Sequence, residues 1–288
     1  MNDTYLHHME CLLRVLVYIE DHLGEELSLD KMAKIAHISP FYFHRLFHAY
    51  MGETLSDYVI RLRMQRASEK LNYTDIPVTE IALELGYGSP SSFTKAFNQI
   101  LGESPREFRK SMRPIVEAML KRVPQDILQG SVIPKYVQRK EEEVLFVRKV
   151  GPYSETPWKA FVSLLAFLKQ ENISRGEIKT FYSMGLDDPQ FVPHSKCRFD
   201  ACVVLKKRHI PKGEVGIKIL PGGKCAVFEY KGSYSGIEAF FHQIFRTWYP
   251  SAHITLADTA PFCEHLEIGD ESVPMVDRTT YLYIPLAE

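Results

Sequence analysis

The 288-residue chain holds no apolar run near the length that crosses a bilayer, about 20 residues, so no membrane partner is expected. Its start, Met1-Asn2-Asp3-Thr4-Tyr5, lacks the basic and apolar regions of a secretory leader, and the expected location is the cytoplasm. Cysteine is scarce. Five residues (Cys11, Cys197, Cys202, Cys225, Cys263), an odd number without a Cys-x-x-Cys pair, argue against a zinc finger or disulfide framework and predict free, mostly buried thiols. A basic excess is missing as well: 35 Lys and Arg stand against 36 Asp and Glu, net −1. Any contact with a phosphate backbone must therefore come from local clusters, and binding should be modest and salt-sensitive. What remains is an ordinary globular composition, 45% hydrophobic and 25% charged, with enough chain for two domains.

Against that plain background one stretch stands out. Ser39 to Gly52 reads as a short helix with its ends written in: Ser39 caps, Pro40 takes the first position and Gly52 stops it. Phe43, Leu46, Phe47 and Tyr50 form an inward stripe at three- and four-residue spacing, leaving Phe41, His44, Arg45 and His48 outward. The stretch recurs 50 residues later. Ser39/Ser89, Pro40/Pro90, Phe43/Phe93, Arg45/Lys95, Phe47/Phe97, Gly52/Gly102 and Glu53/Glu103 all line up. Cap, buried aromatics, outward base and stop are kept, while Phe41, His44 and His48 become Ser91, Thr94 and Asn98. A constant scaffold under a rewritten face suits two helices that read two different sequences.

Each copy is preceded by a short amphipathic helix, 29–36 and 78–85, with Leu29, Met32 and Ala33 matching Val78, Ile81 and Ala82 at an offset of 49. Helix, short turn, helix is the geometry of a helix-turn-helix. An opening helix over 4–23, a joining helix over 54–72 and a last helix over 105–112 complete an all-helical region. Basic residues gather on the joining helix (Arg61, Arg63, Arg66, Lys70) and after the second repeat (Arg106, Arg109, Lys110, Arg113), a candidate phosphate-facing stripe. His44 and His48 have metal-ligand spacing, but no Cys or acid stands by as a third ligand, and neither a metal nor a cofactor is expected.

Ser-Pro-x-x-Phe-x-Arg-x-Phe, followed by Ile-Ala-x-x-x-Gly-Tyr-x-Ser-Pro-Ser-Ser-Phe-x-Lys-x-Phe, resembles the AraC/XylS family of transcription regulators over roughly residues 8–112. The resemblance implies two helix-turn-helix units held rigidly by the joining helix, their recognition helices entering successive major-groove segments of double-stranded DNA about 34 Å apart. Carried over position by position, the base-reading residues are Phe41, His44 and Arg45, with His48 on the same face, and Ser91, Ser92, Thr94 and Lys95. Arg45 is the strongest candidate, since a guanidinium binds guanine bidentately. Pro90 and Ser91 stand where relatives often carry Gln, so the second helix is expected to grip more than to read. RNA polymerase is a further partner that the family implies.

Arg113-Pro114 is expected to end the helical domain, 1–112, and to begin a linker over 113–134 punctuated by Pro124 and Pro134. From residue 135 the texture changes to strands, at 136–140, 144–150, 181–186, 199–205, 215–220, 225–231, 262–266 and 281–284. Helices over 156–170 and 235–248 interrupt them, the pattern of an α+β domain over 135–288. This half also repeats: Gly151-Pro-Tyr153-Ser154 matches Gly232-Ser-Tyr234-Ser235 at an offset of 81, which later pairs Phe181 with Phe262 and Ser183 with Glu264. Two strand–helix–strand halves related by a pseudo-twofold axis would leave a groove between them.

Val-Gly-Pro-Tyr, Arg-Phe-Asp-Ala, Ile-Lys-Ile-Leu-Pro-Gly-Gly-Lys-Cys-Ala-Val, Lys-Gly-Ser-Tyr and Tyr-Leu-Tyr-Ile-Pro-Leu together resemble the GyrI-like effector-binding domain. The resemblance implies a small-molecule effector pocket lined by aromatics around one carboxylate that selects cationic, amphipathic ligands. That carboxylate maps to Glu264, with Tyr153, Trp158, Tyr182, Tyr234, Phe262 and Tyr283 as its expected neighbours. An acid in the apolar strand Pro-Phe-Cys-Glu-His-Leu is costly without a partner, which favours a pocket role, while His265 alternates away and is expected on the surface. The reading is thus a DNA-binding regulator, not an enzyme. The alternative is a GyrI-like hydrolase using Glu264 with Tyr153 or Trp158 as acid–base groups.

Overall fold

The computed structural model describes residues 3–121, 132–189, 192–252, 254–257, 259–270 and 272–287. It divides into two compact units, Met1–Val116 with Lys212–Gly216, and Glu117–Pro211 with Ile217–Glu288. The chain thus has a helical region at its N-terminus followed by a strand-rich region.

The helical elements are α1 (Asp3–Asp21), α2 (Leu29–Ala36), α3 (Pro40–Met51), α4 (Leu55–Tyr73), α5 (Val78–Glu84), α6 (Pro90–Leu101) and α7 (Pro105–Lys121). The repeated helices, α3 and α6, are built alike. The Ser39 hydroxyl accepts from the Tyr42 amide at 3.3 Å and that of Ser89 from the Ser92 amide at 3.2 Å, each before a proline at the first position. Gly52 (φ 68°) and Gly102 (φ 81°) adopt the left-handed conformation that ends a helix cheaply only as glycine. Phe43 and Phe47 pack at 5.5 Å and Phe93 and Phe97 at 5.7 Å, and all four rings are buried.

The repeat continues past the helices. Phe47 meets Tyr58 of α4 edge-on at 5.4 Å, and Phe97 meets Phe108 of α7 at the same 5.4 Å. Glu53 accepts from Arg61 Nη2 at 2.7 Å, and Glu103 accepts from Ser111 Oγ at 3.2 Å. Both repeated helices are therefore braced by a following helix through one aromatic and one polar contact. Burying each Phe contributes roughly 1.5–3 kcal/mol, enough to fix the helix's rotation and leave its other face to solvent.

Two details differ from expectation. Tyr50 does not complete the inward stripe; it is 37% exposed, its hydroxyl hydrogen-bonded to His8 Nδ1 at 3.0 Å. A phenol in the last helical turn keeps its polar end hydrated or paired, and His8 of α1 supplies the pair while also meeting the Tyr42 hydroxyl at 2.6 Å. Nor does Arg113-Pro114 end the last helix: α7 runs through Pro114 to Lys121. One lost backbone hydrogen bond is tolerated where Glu117, Ala118, Met119, Leu120 and Lys121, all good helix formers, follow. Pro124 lies outside the described residues.

The second region contains β1 (Lys135–Arg139), β2 (Glu142–Val150), α8 (Thr156–Gln170), β3 (Ile178–Gly185), β4 (Arg198–Leu205), β5 (Val215–Leu220), β6 (Gly223–Lys231), α9 (Ile237–Thr247), α10 (Tyr249–Ala252), β7 (Phe262–His265) and β8 (Thr279–Pro285). They form one sheet of order β1-β6-β8-β7-β3-β4-β2-β5, and each described register is antiparallel. Two helices cover one face. α9 packs Phe240, Ile244 and Phe245 on Ala226, Phe228, Leu282 and Ile284, and α8 sets Phe161 against Phe181 and His265.

The order forces the sheet to curl. β1 and β2 stand first and seventh, yet only Lys140 and Glu141 join them. Strands about 4.8 Å apart would separate these by roughly 29 Å in a flat sheet, whereas three Cα–Cα steps span at most about 11 Å. Pro221 and Gly222 make the matching jump from β5, eighth, to β6, second. The two connectors touch, and a Cβ on Gly222 would lie 2.8 Å from the Glu141 nitrogen, so only glycine fits there. Arg139 of β1 lies over the rings of Tyr182, Phe262 and Tyr283 on the helix-free face, so the sheet curls toward that face and makes it concave.

Candidate functional site

On α3 the outward face is Phe41, His44, Arg45 and His48, all exposed, with Phe41 at 74%. The Arg45 guanidinium lies 5.8 Å from the Phe41 ring centroid, so the two side chains share one end of the face. On α6, Ser91 and Lys95 are exposed. The Ser92 hydroxyl donates to the Ser89 carbonyl at 2.8 Å and that of Thr94 to the Pro90 carbonyl at 2.8 Å. Both hydroxyl hydrogens are thus donated within the helix, and Lys95 is the one charged side chain of α6.

The basic stripe on α4 proves to be joinery. Arg61 pairs with Glu53, Arg66 with Glu69 at 3.4 Å and Lys70 with Glu84 at 2.7 Å. Arg63 donates to the Leu23 and Glu25 carbonyls at 2.9 and 2.7 Å, closing the end of α1, and Arg109 donates to the Ile76 carbonyl at 2.6 Å. Apart from Arg66, whose pair lies within α4, these cations tie their helices to neighbouring segments, and sequence spacing alone could not show where those acids and carbonyls lie. Arg106 and Lys110 of α7 are exposed.

On the concave face Tyr182, Phe262, Glu264 and Tyr283 come together. Tyr182 meets Phe262 edge-on at 5.6 Å, and Phe262 stacks on Tyr283 at 4.9 Å and 8°. The Glu264 carboxylate accepts from Thr180 Oγ1 at 2.8 Å and from Tyr283 Oη at 2.7 Å. Burial first, and then Glu264, pushes both phenols well above the ordinary tyrosine value, so both hydroxyls remain protonated donors. The Tyr182 hydroxyl donates to Glu142 at 2.9 Å, and Lys179 also bonds Glu142. Burial alone would raise the Glu142 carboxyl, but the hydrogen bonds from Lys179 and Tyr182 and the charges of Lys179 and Arg139 hold it below its usual range.

The other three expected neighbours lie elsewhere. Tyr153 is pinned among backbone groups: the Asp187 amide donates to its oxygen at 2.9 Å, and the Asp187 and Arg198 carbonyls stand 2.8 and 3.0 Å from it. Tyr234 packs against His265 at 5.1 Å, on the helix-covered face. Trp158 is 75% exposed on α8. Neither Tyr153 nor Trp158 is among the groups that hydrogen-bond Glu264 in the described residues.

His265 does alternate away from Glu264, but it is buried, not on the surface. α8 covers that side of the sheet, and the ring bonds Ser183 Oγ at 2.8 Å and Thr280 Oγ1 at 3.3 Å. Burial depresses its pKa to about 3, so it is neutral. The offset of 81 also slips in β3 and β7. Phe181 and Ser183 face the helices while Phe262 and Glu264 face the concave side, so equivalent positions there differ by an even number.

Arg139 and Glu142 carried no sequence signal, and Asp200 was read only as part of the Arg-Phe-Asp-Ala motif. Arg139 and Glu142 sat in a charged run, Arg139-Lys-Glu-Glu-Glu143, that reads as a solvated turn, yet Arg139 reaches into the cluster. Asp200 is fully buried, gripped by Arg148 through both oxygens at 2.7 and 2.8 Å and by Lys218 at 2.6 Å. Desolvation would raise its carboxyl, but the two cations hold it well below the carboxylate range. Among the described residues no group of three or more metal-ligating side chains forms, at His44 and His48 or elsewhere, and all five cysteines are free and buried. No described helix is long and apolar enough to cross a membrane.

Comparison with known proteins gives two family matches, a helix-turn-helix domain over residues 32–111 and a GyrI-like small molecule binding domain over residues 134–287, more than half of the chain. The HTH-type transcriptional activator AarP of Providencia stuartii is 36% identical over 97 residues, covering 34% of this chain and 72% of that protein. The Transposon Tn10 TetD protein of Escherichia coli is 35% identical over 112 residues, 39% of this chain and 81% of the relative. Regulatory protein SoxS of Escherichia coli (strain K12) is 29% identical over 102 residues, 35% and 95% respectively. The DNA-binding domain of AdpA, solved in complex with a target DNA, is 28% identical, covers 37% of this chain and 96% of that one, and has a TM-score of 0.36.

Proposed function

Since the chain belongs to the GyrI-like small molecule binding family and to the AraC-type transcription regulators, we propose that it is a one-component regulator in which α3 and α6 read two successive major-groove segments of one DNA duplex. The observation that carries this reading is the identical mounting of the two helices under different outward faces, with Phe47–Tyr58 and Phe97–Phe108 both at 5.4 Å. A common mount keeps two readers in a fixed relation, and different faces give each its own sequence. Arg45, backed by Phe41 and flanked by His44 and His48, supplies most of the discrimination. Ser91 and Lys95 of α6 mainly hold the duplex, Ser92 and Thr94 shape that helix's first turns, and Arg106 and Lys110 add phosphate contacts. RNA polymerase is the further partner of a regulator of this kind.

The second half takes a small cationic or amphipathic effector on its concave face. Support comes from Glu264, a carboxylate held by two neutral hydroxyls beside the rings of Tyr182, Phe262 and Tyr283. We also read this half as a duplication. Exchanging β1, β2, β3 and β4 for β5, β6, β7 and β8 returns the same strand order reversed, as a twofold axis between β3 and β7 would require. Selection of binding sites from random duplexes tests the first claim: a two-block motif with blocks about one helical turn apart is expected, and enrichment of no motif would defeat it.

A further inference from the structure

We propose that Arg139 is a built-in occupant of the effector site, a cation that the protein sets into its own aromatic cluster and that an effector must displace; this rests on the reading of that cluster as the place where the effector binds. The Arg139 guanidinium carbon lies 4.6 Å from the Phe262 ring centroid and 5.1 Å from those of Tyr182 and Tyr283. Three rings at cation–π distance around one group is how a protein recognises a ligand cation. Here the ligand is a side chain. Its Nη2 donates to Glu142 Oε2 at 2.9 Å and to Tyr182 Oη at 3.0 Å, as a bound ligand's polar end would.

The fit is incomplete, which is what makes the occupant replaceable. Arg139 Nη1 is buried and has no hydrogen-bond partner among the described residues, and an unmade bond from a buried charged donor is a standing penalty. A ligand cation without that surplus N–H escapes the penalty. Charge accounting points the same way. Without Arg139 the cluster keeps Glu142 and Glu264 beside three rings, and the Lys179 that bonds Glu142 is 59% exposed. The arrangement then calls for a cation, and Arg139 supplies it when no effector does. Arg139 is the last residue of β1, so side-chain rotation can withdraw it without unzipping the strand. Apparent affinity for an effector is therefore its intrinsic affinity reduced by the fraction of molecules in which Arg139 already fills the site.

Calorimetric titration of the full chain with benzyltrimethylammonium, alongside its uncharged isostere 2,2-dimethylpropylbenzene, tests this. Arg139→Gln should raise affinity for the cation by roughly tenfold or more while changing that for the isostere little. Arg139→Lys, which keeps the charge but loses the fork, should give a smaller gain in the same direction and serves if the Gln variant does not fold. Equal or weaker cation binding by both variants overturns the inference while leaving the effector site in place. An equal gain for the isostere also overturns it, because the substitution would merely have opened space. Failure of wild type and variants alike to bind the cation defeats the inference together with the effector-site reading on which it rests.

Discussion

Tyr283 donates its hydroxyl hydrogen to Glu264 at 2.7 Å, fixing one carboxylate oxygen against the ring that stacks on Phe262. Thr180 fixes the other oxygen, and no cation forms an ion pair with Glu264 among the described residues. A carboxylate held by neutral donors keeps its charge available to a ligand. Glu264→Gln should weaken binding of cationic ligands about tenfold, the scale of a desolvated cation–anion contact, and affect uncharged analogues much less. Titration calorimetry with matched charged and neutral compounds measures the difference; equal losses would make the carboxylate purely structural.

The internal pairing of α4 separates stability from DNA affinity. Arg61→Ala removes the ion pair with Glu53, only 11% exposed at its side chain, and should lower the melting temperature while leaving the salt dependence of DNA binding unchanged. Arg106→Ala and Lys110→Ala should do the reverse, each reducing the slope of log affinity against log salt by about one. Filter binding across a salt series decides between them, and a shallower slope in Arg61→Ala would count against the assignment.

Asp200 pairs with two cations on the concave face, so Asp200→Asn leaves Arg148 and Lys218 facing an uncharged amide in a buried site. Losing one member of a buried ionic group costs about 3–5 kcal/mol. A urea midpoint within error of wild type would show that the cations relax into water.

His265 gives a signed pH dependence. It is neutral when folded, with a pKa near 3, against about 6.5 when unfolded, so between those values the unfolded chain binds one more proton. Stability from this residue is fully present above pH 6.5 and declines as pH falls toward 3, by about 1.4 kcal/mol per unit once His265 of the unfolded chain is protonated. Urea unfolding at pH 7.5 and 5 should show that decline in wild type and a smaller one in His265→Gln. Parallel declines would assign the effect to other groups.

The sequence made the helical half legible because its information is local. Ser39-Pro40, the Phe43/Phe47 spacing and Gly52 each specify a turn of chain, and a second copy of the same signals at Ser89 removes ambiguity. Strand positions were equally local. Side-chain partnerships were not. Tyr50 turned outward because His8, 42 residues away, offers its hydroxyl a partner, and His265 is buried because α8 covers a face that alternation alone cannot identify. Within the carboxylate cluster, Tyr182, Phe262, Glu264 and Tyr283 could be named from type and motif, whereas Arg139 could not. Its place depends on the curl that brings the first strand to the fifth, a property of strand order and not of any one stretch.

The central claim, two mounted readers on one duplex, is tested most directly by footprinting wild type and Arg45→Ala on a site chosen by selection. Wild type should protect two major-groove segments on one face of the DNA, about one turn apart. Arg45→Ala should lose preference at a single base pair in one segment, at about 1–3 kcal/mol, and keep the other. An unchanged footprint with unchanged base preference would contradict the account.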